Sequence, residues 1–305
     1  MNNRYTQREF EVNRWERMSL NPIGPIIVGS VIGLLSGFFG VGGGFLLTPT
    51  LNIILDIPYN IAVGSGLCQM IGTSTSGLRR HHRLGNISYK LGLIMLGGNI
   101  VGVLVGTHLL NGLKSMAQIR IGSTTISVLD LILNLIFALL LLGIGVMMGL
   151  EATRRSGGGS EPGMRVKGPS PKISIAEQVE VSIPMILIAG FLIGLMTGLL
   201  GIGGGVVIMP IFVYLLGVPT KMAVGTSLFL VLCSALVGTT SHALSGNVSL
   251  PLVIYTMIGS TAGAQVGATL TSRVKARRIR GYFSAVTLAA AGMVIFKLIR
   301  IFHLL

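Results

Sequence analysis

The chain has 305 residues, of which 51% are hydrophobic and 10% charged, and its mean hydropathy is +0.80. So much apolar surface must face something other than water, which excludes a large soluble all-helical protein and points to a polytopic membrane protein. The net charge of +14 is dispersed among short tails and loops beside apolar blocks, the pattern of basic membrane-flanking loops and not of a nucleic-acid interface.

In chain order, residues 1–20 form a polar tail with Arg4, Arg8, Arg14 and Arg17 and no apolar core before a small-residue cleavage site, so no cleaved signal peptide is expected. The first apolar block runs from Gly24 to Ile57, interrupted at Gly40–Gly44. Unbroken, it would make a helix of about 50 Å, too long for one crossing of roughly 30 Å of hydrocarbon, so it must break, tilt or re-enter. Further blocks cover Ile61–Leu78, Ile87–Leu110 and Ile121–Leu150. A polar stretch over 151–182, with Gly157–Gly159 and a Pro-Ser-Pro at Pro169–Pro171, reads as a flexible linker. The second half, 183–305, continues with blocks at Ile183–Leu216, Met222–Ala243, Leu250–Leu270 and Gly281–Phe302.

The two halves say nearly the same thing at a fixed offset of 161 residues. Gly-Val-Gly-Gly-Gly at Gly40–Gly44 returns as Gly-Ile-Gly-Gly-Gly at Gly201–Gly205, and the register extends through Pro49/Pro210, Ala62-Val63-Gly64/Ala223-Val224-Gly225, His81/His242, Ser88/Ser249 and Gly106/Gly267. The expected architecture is therefore an all-α polytopic membrane protein of two tandem homologous repeats, 21–150 and 183–305. Each repeat has about four transmembrane segments, the first broken at its Gly-rich motif.

Four crossings per half is an even number and predicts parallel halves. That arrangement, with the N-terminus inside, leaves the densest basic loop, Arg273–Arg280, outside, against its charge. If each broken block crosses twice, the halves invert and, with the N-terminus outside, all three basic loops fall inside. Either way 14 Lys and Arg lie inside, Lys90 set aside, so charge does not choose. Gly44–Ile57 would give about 20 Å of helix, enough for a re-entrant arm and short for a crossing, so eight main segments are expected.

Glycine at a membrane helix break permits unusual backbone angles and leaves free N–H groups at the start of the next half-helix, which attract anions. Gly40, Gly42, Gly43, Gly44, Gly201, Gly203, Gly204 and Gly205 are accordingly candidate substrate-binding positions around a shared cavity, although close helix packing uses the same glycines. Neither copy has the Lys and Ser/Thr of a phosphate-binding loop. The next segments supply Ser65, Gln69, Thr73, Ser74 and Ser76, and Thr226, Ser227, Ser234 and Thr239, whose hydroxyl and amide groups can line a passage or bond to neighbouring helices. Of these, Ser65, Gln69, Thr226 and Ser227 are the candidate substrate contacts. Asp130, well inside an apolar block with Asn134 one turn later, is a candidate proton-coupling residue, as are the equivalent His81 and His242. With only 9 Asp and Glu and two cysteines, Cys68 and Cys233, both inside apolar segments, no metal site, disulfide framework or cofactor is expected.

The Gly-x-Gly-Gly-Gly followed by Pro49 or Pro210, the Pro-x-x-x-Ala-Val-Gly-Ser/Thr at Pro58–Ser65 and Pro219–Thr226, and the Gly-Asn-x-Ser at Gly85–Ser88 and Gly246–Ser249 resemble the TauE/SafE family of membrane transporters. The resemblance covers roughly 24–115 and 185–280. It implies transport of a sulfur-containing anion such as sulfite or an organosulfonate across the cytoplasmic (inner) membrane, usually outward. The tail and the 151–182 stretch look longer and more polar than the family pattern, and Ser65-Gly66 stands where the second half has Thr226-Ser227. The expected function is a secondary transporter whose partners are a small sulfur-containing anion and the bilayer, with assembly into a homo-oligomer left open. A passive anion channel, or a transporter of another small organic anion, is the alternative. No nucleophile–base pair or metal cluster supports an enzyme.

Overall fold

The computed structural model describes residues 23–54, 57–113, 118–121, 124–153, 171–176, 179–201 and 203–303. Its first half contains α1 (Ile23–Phe39), α2 (Gly44–Ile54), α3 (Tyr59–Arg83), α4 (Tyr89–Leu113) and α5 (Val128–Thr153). The second contains α6 (Ile183–Leu200), α7 (Gly205–Pro210) continued by one π-helical turn at Ile211–Leu215, α8 (Thr220–Leu244), α9 (Leu250–Arg273) and α10 (Ala276–His303). α4, α5, α6, α8 and α10 contain stretches long and apolar enough to cross a bilayer. Their outward faces carry exposed Leu93, Val101, Leu135, Leu139, Ile188, Leu192 and Phe296, the surface a lipid-facing helix presents.

Two short antiparallel hairpins depart from the all-helical expectation. β1 (Gln118–Ile121) pairs with β2 (Thr124–Ser127) ahead of α5, and β3 (Lys172–Ala176) pairs with β4 (Val179–Ser182) ahead of α6. The sequence reads Thr-Thr-Ile-Ser in one and alternates Ile173 and Ile175, Val179 and Val181 with polar residues in the other, a period-2 pattern. The last part of the 151–182 stretch is thus a hairpin and not a featureless linker; 154–170 lie outside the described residues.

The parallel arrangement of halves is overturned by the helix directions. Gly77 of α3 faces Leu228 of α8 while Gly238 of α8 faces Leu67 of α3, so these two equivalent helices run antiparallel. The eight expected segments correspond to α1, α3, α4, α5, α6, α8, α9 and α10, with a short returning helix after each break. A Cβ on Gly43 would meet Ile32 and Ser36, and one on Gly204 would meet Ile193 and Thr197. The chain therefore doubles back along α1 and α6, and α2 and α7 are re-entrant arms. With 11 residues, α2 is only about 16 Å long. Pro49 inside α2 and Pro210 at the end of α7 each remove a helical donor, and in the second arm the ladder slips into the π-turn directly after the proline.

What joins the halves is an exchange of first helices. On α1, Gly29, Gly33 and Gly37 press against the backbone of Thr256, Ser260 and Ala264 of α9 so closely that an added Cβ would stand 2.1–2.2 Å from their carbonyl oxygens. Gly190, Gly194 and Gly198 of α6 stand in the same relation to Met95, Asn99 and Val103 of α4, at 2.1–2.4 Å. The four-residue spacing puts these glycines on one stripe of each helix, and without side chains the backbones meet directly, the contact that holds helices together where lipid supplies no hydrophobic drive. α5 and α10 pair at the periphery, where Ser284 donates to Gly145 O at 2.6 Å. α3 and α8 fill the middle.

Candidate functional site

The two glycine breaks meet at the centre of the molecule. Positive φ at Gly40, Gly42 and Gly43 (77°, 75° and 92°) and at Gly201, Gly203 and Gly204 (65°, 67° and 70°) lets each chain reverse within a few residues, a conformation that strains any residue with a Cβ. A Cβ on Gly44 would lie 2.6 Å from Gly201 O, and one on Gly205 would lie 2.3 Å from Val41 Cα, so the two tips pack backbone to backbone. Gly42 and Gly203 both face the side chains of Met70 on α3 and Val231 on α8, themselves 161 residues apart. Thr48 Oγ1 reaches across to Gly201 O at 3.4 Å.

Each arm opens beside this junction. Gly43 O accepts from Leu46 and Leu47 N–H at 3.1 and 3.0 Å, and Gly204 O accepts from Val207 and Ile208 N–H at 2.9 and 2.8 Å. The amides before them, on Gly44 and Phe45 and on Gly205 and Val206, have no backbone acceptor among the described residues. Two N–H groups per arm at a positive helix end are the elements of an anion cradle.

Around the tips lies a fully buried polar belt. Gln69 Nε2 donates to Thr73 Oγ1 at 2.6 Å, and Thr73 donates to Ser260 Oγ at 2.8 Å. At the positions 161 residues removed, Ser234 donates to Asn99 Oδ1. Ser36 Oγ, Ser74 Oγ and Gln69 Oε1 are buried with no hydrogen-bond partner among the described residues. Buried polar atoms without partners are uncommon and mark places where a ligand or water completes the set.

The other predicted contacts do not converge there. Ser65 Oγ accepts from Ser249 N–H and Thr226 Oγ1 from Ser88 N–H, both at 2.9 Å, so each ties the entry of α9 or α4 to the core. By the antiparallel register of α3 and α8, Thr226 stands level with about Arg79, 14 residues beyond Ser65, and the two hydroxyls are roughly 20 Å apart along the helices. Ser227 donates to the carbonyls of Gly40 and Val224, at 2.5 and 2.9 Å, and so braces the first break. His81, fully buried, places Nε2 3.3 Å from Gly37 O; His242 places Nδ1 3.2 Å from the Asn247 amide nitrogen. These histidines stand at opposite ends of the core. The side chain of Asp130 lies outside the described residues. Among the described residues no group of three or more His, Cys, Asp or Glu is placed to hold a metal.

Sequence reading missed Ser260, Asn99 and Ser36, because α9, α4 and α1 announced themselves only through their glycines. The signal was available: Thr73/Ser234 and Ser260/Asn99 are each polar at both positions of the 161-residue offset.

A family model for the sulfite exporter TauE/SafE matches residues 25–294. The chain belongs to the TauE/SafE family. Relatives within reach of this TauE/SafE chain include a probable membrane transporter protein, YunE, of Bacillus subtilis, 25% identical over 83% of this chain and 90% of its own length. Similar matches are the probable membrane transporter protein MJ0441 of Methanocaldococcus jannaschii, 25% identical over 86% and 90%, and one of Haemophilus influenzae, 26% identical over 87% and 95%. No solved structure matches the chain. Family, relatives and apolar helices together make this a multi-pass membrane protein of transporter type.

Proposed function

We propose that this TauE/SafE chain is a secondary transporter that exports a small sulfur-containing anion, such as sulfite or a sulfonate, across the cytoplasmic membrane by alternating access. The observation that carries the reading is the meeting of two returning glycine tips among buried polar groups, at Met70 and Val231 near the middles of α3 and α8. In this reading the halves are inverted repeats, and the pseudo-twofold passes near Gly72 and Cys233, where equivalent residues come level. An anion sits between Gly40–Gly44 and Gly201–Gly205 when the tips part, held by their free amides and by Gln69. Ser65 and Thr226 serve as anchors at the two ends, and His81, His242 and Asp130 are the coupling candidates.

Orientation follows from the antiparallel register. Arg79, Arg80, Arg83, Lys90, Lys221 and the basic run Arg273–Arg280 share the end where α3 finishes and α8 begins, whereas the described cations at the other end are Arg120, Lys297 and Arg300. By the positive-inside rule the crowded end is cytoplasmic. The test is uptake of radiolabelled sulfite, sulfate and a short sulfonate into proteoliposomes with and without an imposed pH gradient. Gradient-dependent accumulation of one of them supports the reading, flux that only equilibrates makes the protein a channel, and no flux from folded protein removes it.

A further inference from the structure

α10 enters the core with an arginine whose donors are only partly used. Arg280 is 6% exposed, its Nη1 donates to Thr220 Oγ1 at 2.9 Å, and its Nε is buried with no partner among the described residues. Thr220 opens α8, a 25-residue helix that follows Pro219 and has no side-chain cap on its first turn. The hydroxyl of Tyr214, in the π-turn closing the second arm, is also buried without a partner among the described residues, and it lies within electrostatic reach of Arg280. Of the neighbouring cations, Lys221 donates to Ser272 O and Arg277 to the carbonyls of Ala152 and Thr153, while Arg273, Lys275 and Arg278 are exposed. Glu151 is the acid in electrostatic reach of Tyr214. A buried guanidinium with an idle N–H thus bonds the first residue of an uncapped helix, with an idle phenol in electrostatic reach.

We propose that Arg280, Tyr214 and the first turn of α8 form a second anion site, specific for a tetrahedral or pyramidal oxyanion, at the basic end of the core. Along α8 it lies four residues, about 6 Å, before Val224, which Gly40 touches, and 11 residues, about 16 Å, before Val231 at the central junction, so it flanks the tips on the basic side. Its use as the point that collects the anion before the tips part rests on the transport reading; binding itself does not. The oxyanion comes either from solution or from a lipid phosphate.

Binding of radiolabelled sulfate to the purified full chain in a phosphate-free maltoside detergent tests it. Saturable binding weakened at least about tenfold in Arg280→Gln and severalfold in Tyr214→Phe, with Arg277→Gln unchanged, is expected. Tyr214→Phe leaves the packing intact, so its loss of affinity is not a folding effect. Absence of saturable binding, or equal affinity in wild type, Arg280→Gln and Tyr214→Phe, overturns the site. Displacement of sulfate by a short-chain phosphatidic acid at lower concentration than by free sulfite identifies lipid as the source, and the reverse order identifies the free anion; either supports the site. A chain that binds sulfate through Arg280 yet moves no anion in proteoliposomes keeps this site and removes the transport reading. Flux with sulfate binding indifferent to Arg280 does the opposite.

Discussion

Replacing Gly205 by Ala probes the tip-to-tip contact with one methyl group. That methyl would stand 2.3 Å from both Val41 Cα and Val41 O, and 2.5 Å from the carbonyl carbon between them. Carbon atoms rest at about 3.5–4.0 Å, so the shortfall is roughly 1.5 Å against backbone, with no flexible side chain to move aside. Overpacking of this kind costs about 1–3 kcal/mol. If the touching tips are one of two working states, that penalty falls on this state alone and shifts the equilibrium about 5–150-fold toward the parted one. Each cycle must pass through the closed contact, so the initial rate of sulfite flux in proteoliposomes should drop within that range and the melting temperature should fall with it. Gly143→Ala is the comparison, because a Cβ there meets nothing within 4 Å. Wild-type flux and melting in Gly205→Ala, or equal loss in Gly143→Ala, would refute the assignment of the tips as a moving contact.

Gly43→Leu and Gly204→Leu add positive-φ strain of about 1–2 kcal/mol to clashes with Ile32 and Ile193, and should abolish flux while membrane insertion, read by fractionation, persists. Gly194→Val forces α6 away from Asn99 O, 2.1 Å from the new Cβ, and should destabilise the protein by about 3 kcal/mol in detergent unfolding. Thr226→Val leaves the Ser88 N–H without its acceptor and should lower stability by about 1–2 kcal/mol, with Ser65→Ala comparable through Ser249. Arg83→Cys and Leu244→Cys, both exposed and 161 residues apart, should be labelled by an impermeant maleimide from opposite sides of the membrane in a chain whose Cys68 and Cys233 are replaced by Ala. Labelling from the same side would restore parallel halves.

The glycine motifs located the breaks in α1–α2 and α6–α7, because four glycines within five residues destabilise a continuous helix far more than a packing pair such as Gly97-Gly98 in α4. The reversal at each break was not legible: an apolar block that turns back and one that continues have the same hydropathy, and only the contact of Gly43 with Ile32 separates them. Repeat equivalence does not bring residues together. In an antiparallel pair such as α3 and α8, residues near Gly72 and Cys233 meet their counterparts, as Met70 and Val231 do around Gly42, while Ser65 and Thr226 are carried to opposite ends. Charge failed to choose the topology because the tails balance the loops; the register of α3 on α8 separates arrangements that a count of cations leaves tied.

The glycine stripe of α1 has a consequence for the order of biosynthesis. Gly29 rests on Thr256, 227 residues later in the chain. At about 5–20 residues per second, the first helix waits roughly 10–45 s in the bilayer before its mate emerges from the ribosome. In that interval its groove is lined by lipid, and α6, which emerges after α4, finds a partner at once. Of the helix pairs, α1 and α9 are therefore separated by the longest wait, longer than α5 and α10. A truncation late in the gene, removing α9, would be felt first at the opposite end of the polypeptide, where quality-control proteases would meet an unpaired glycine face.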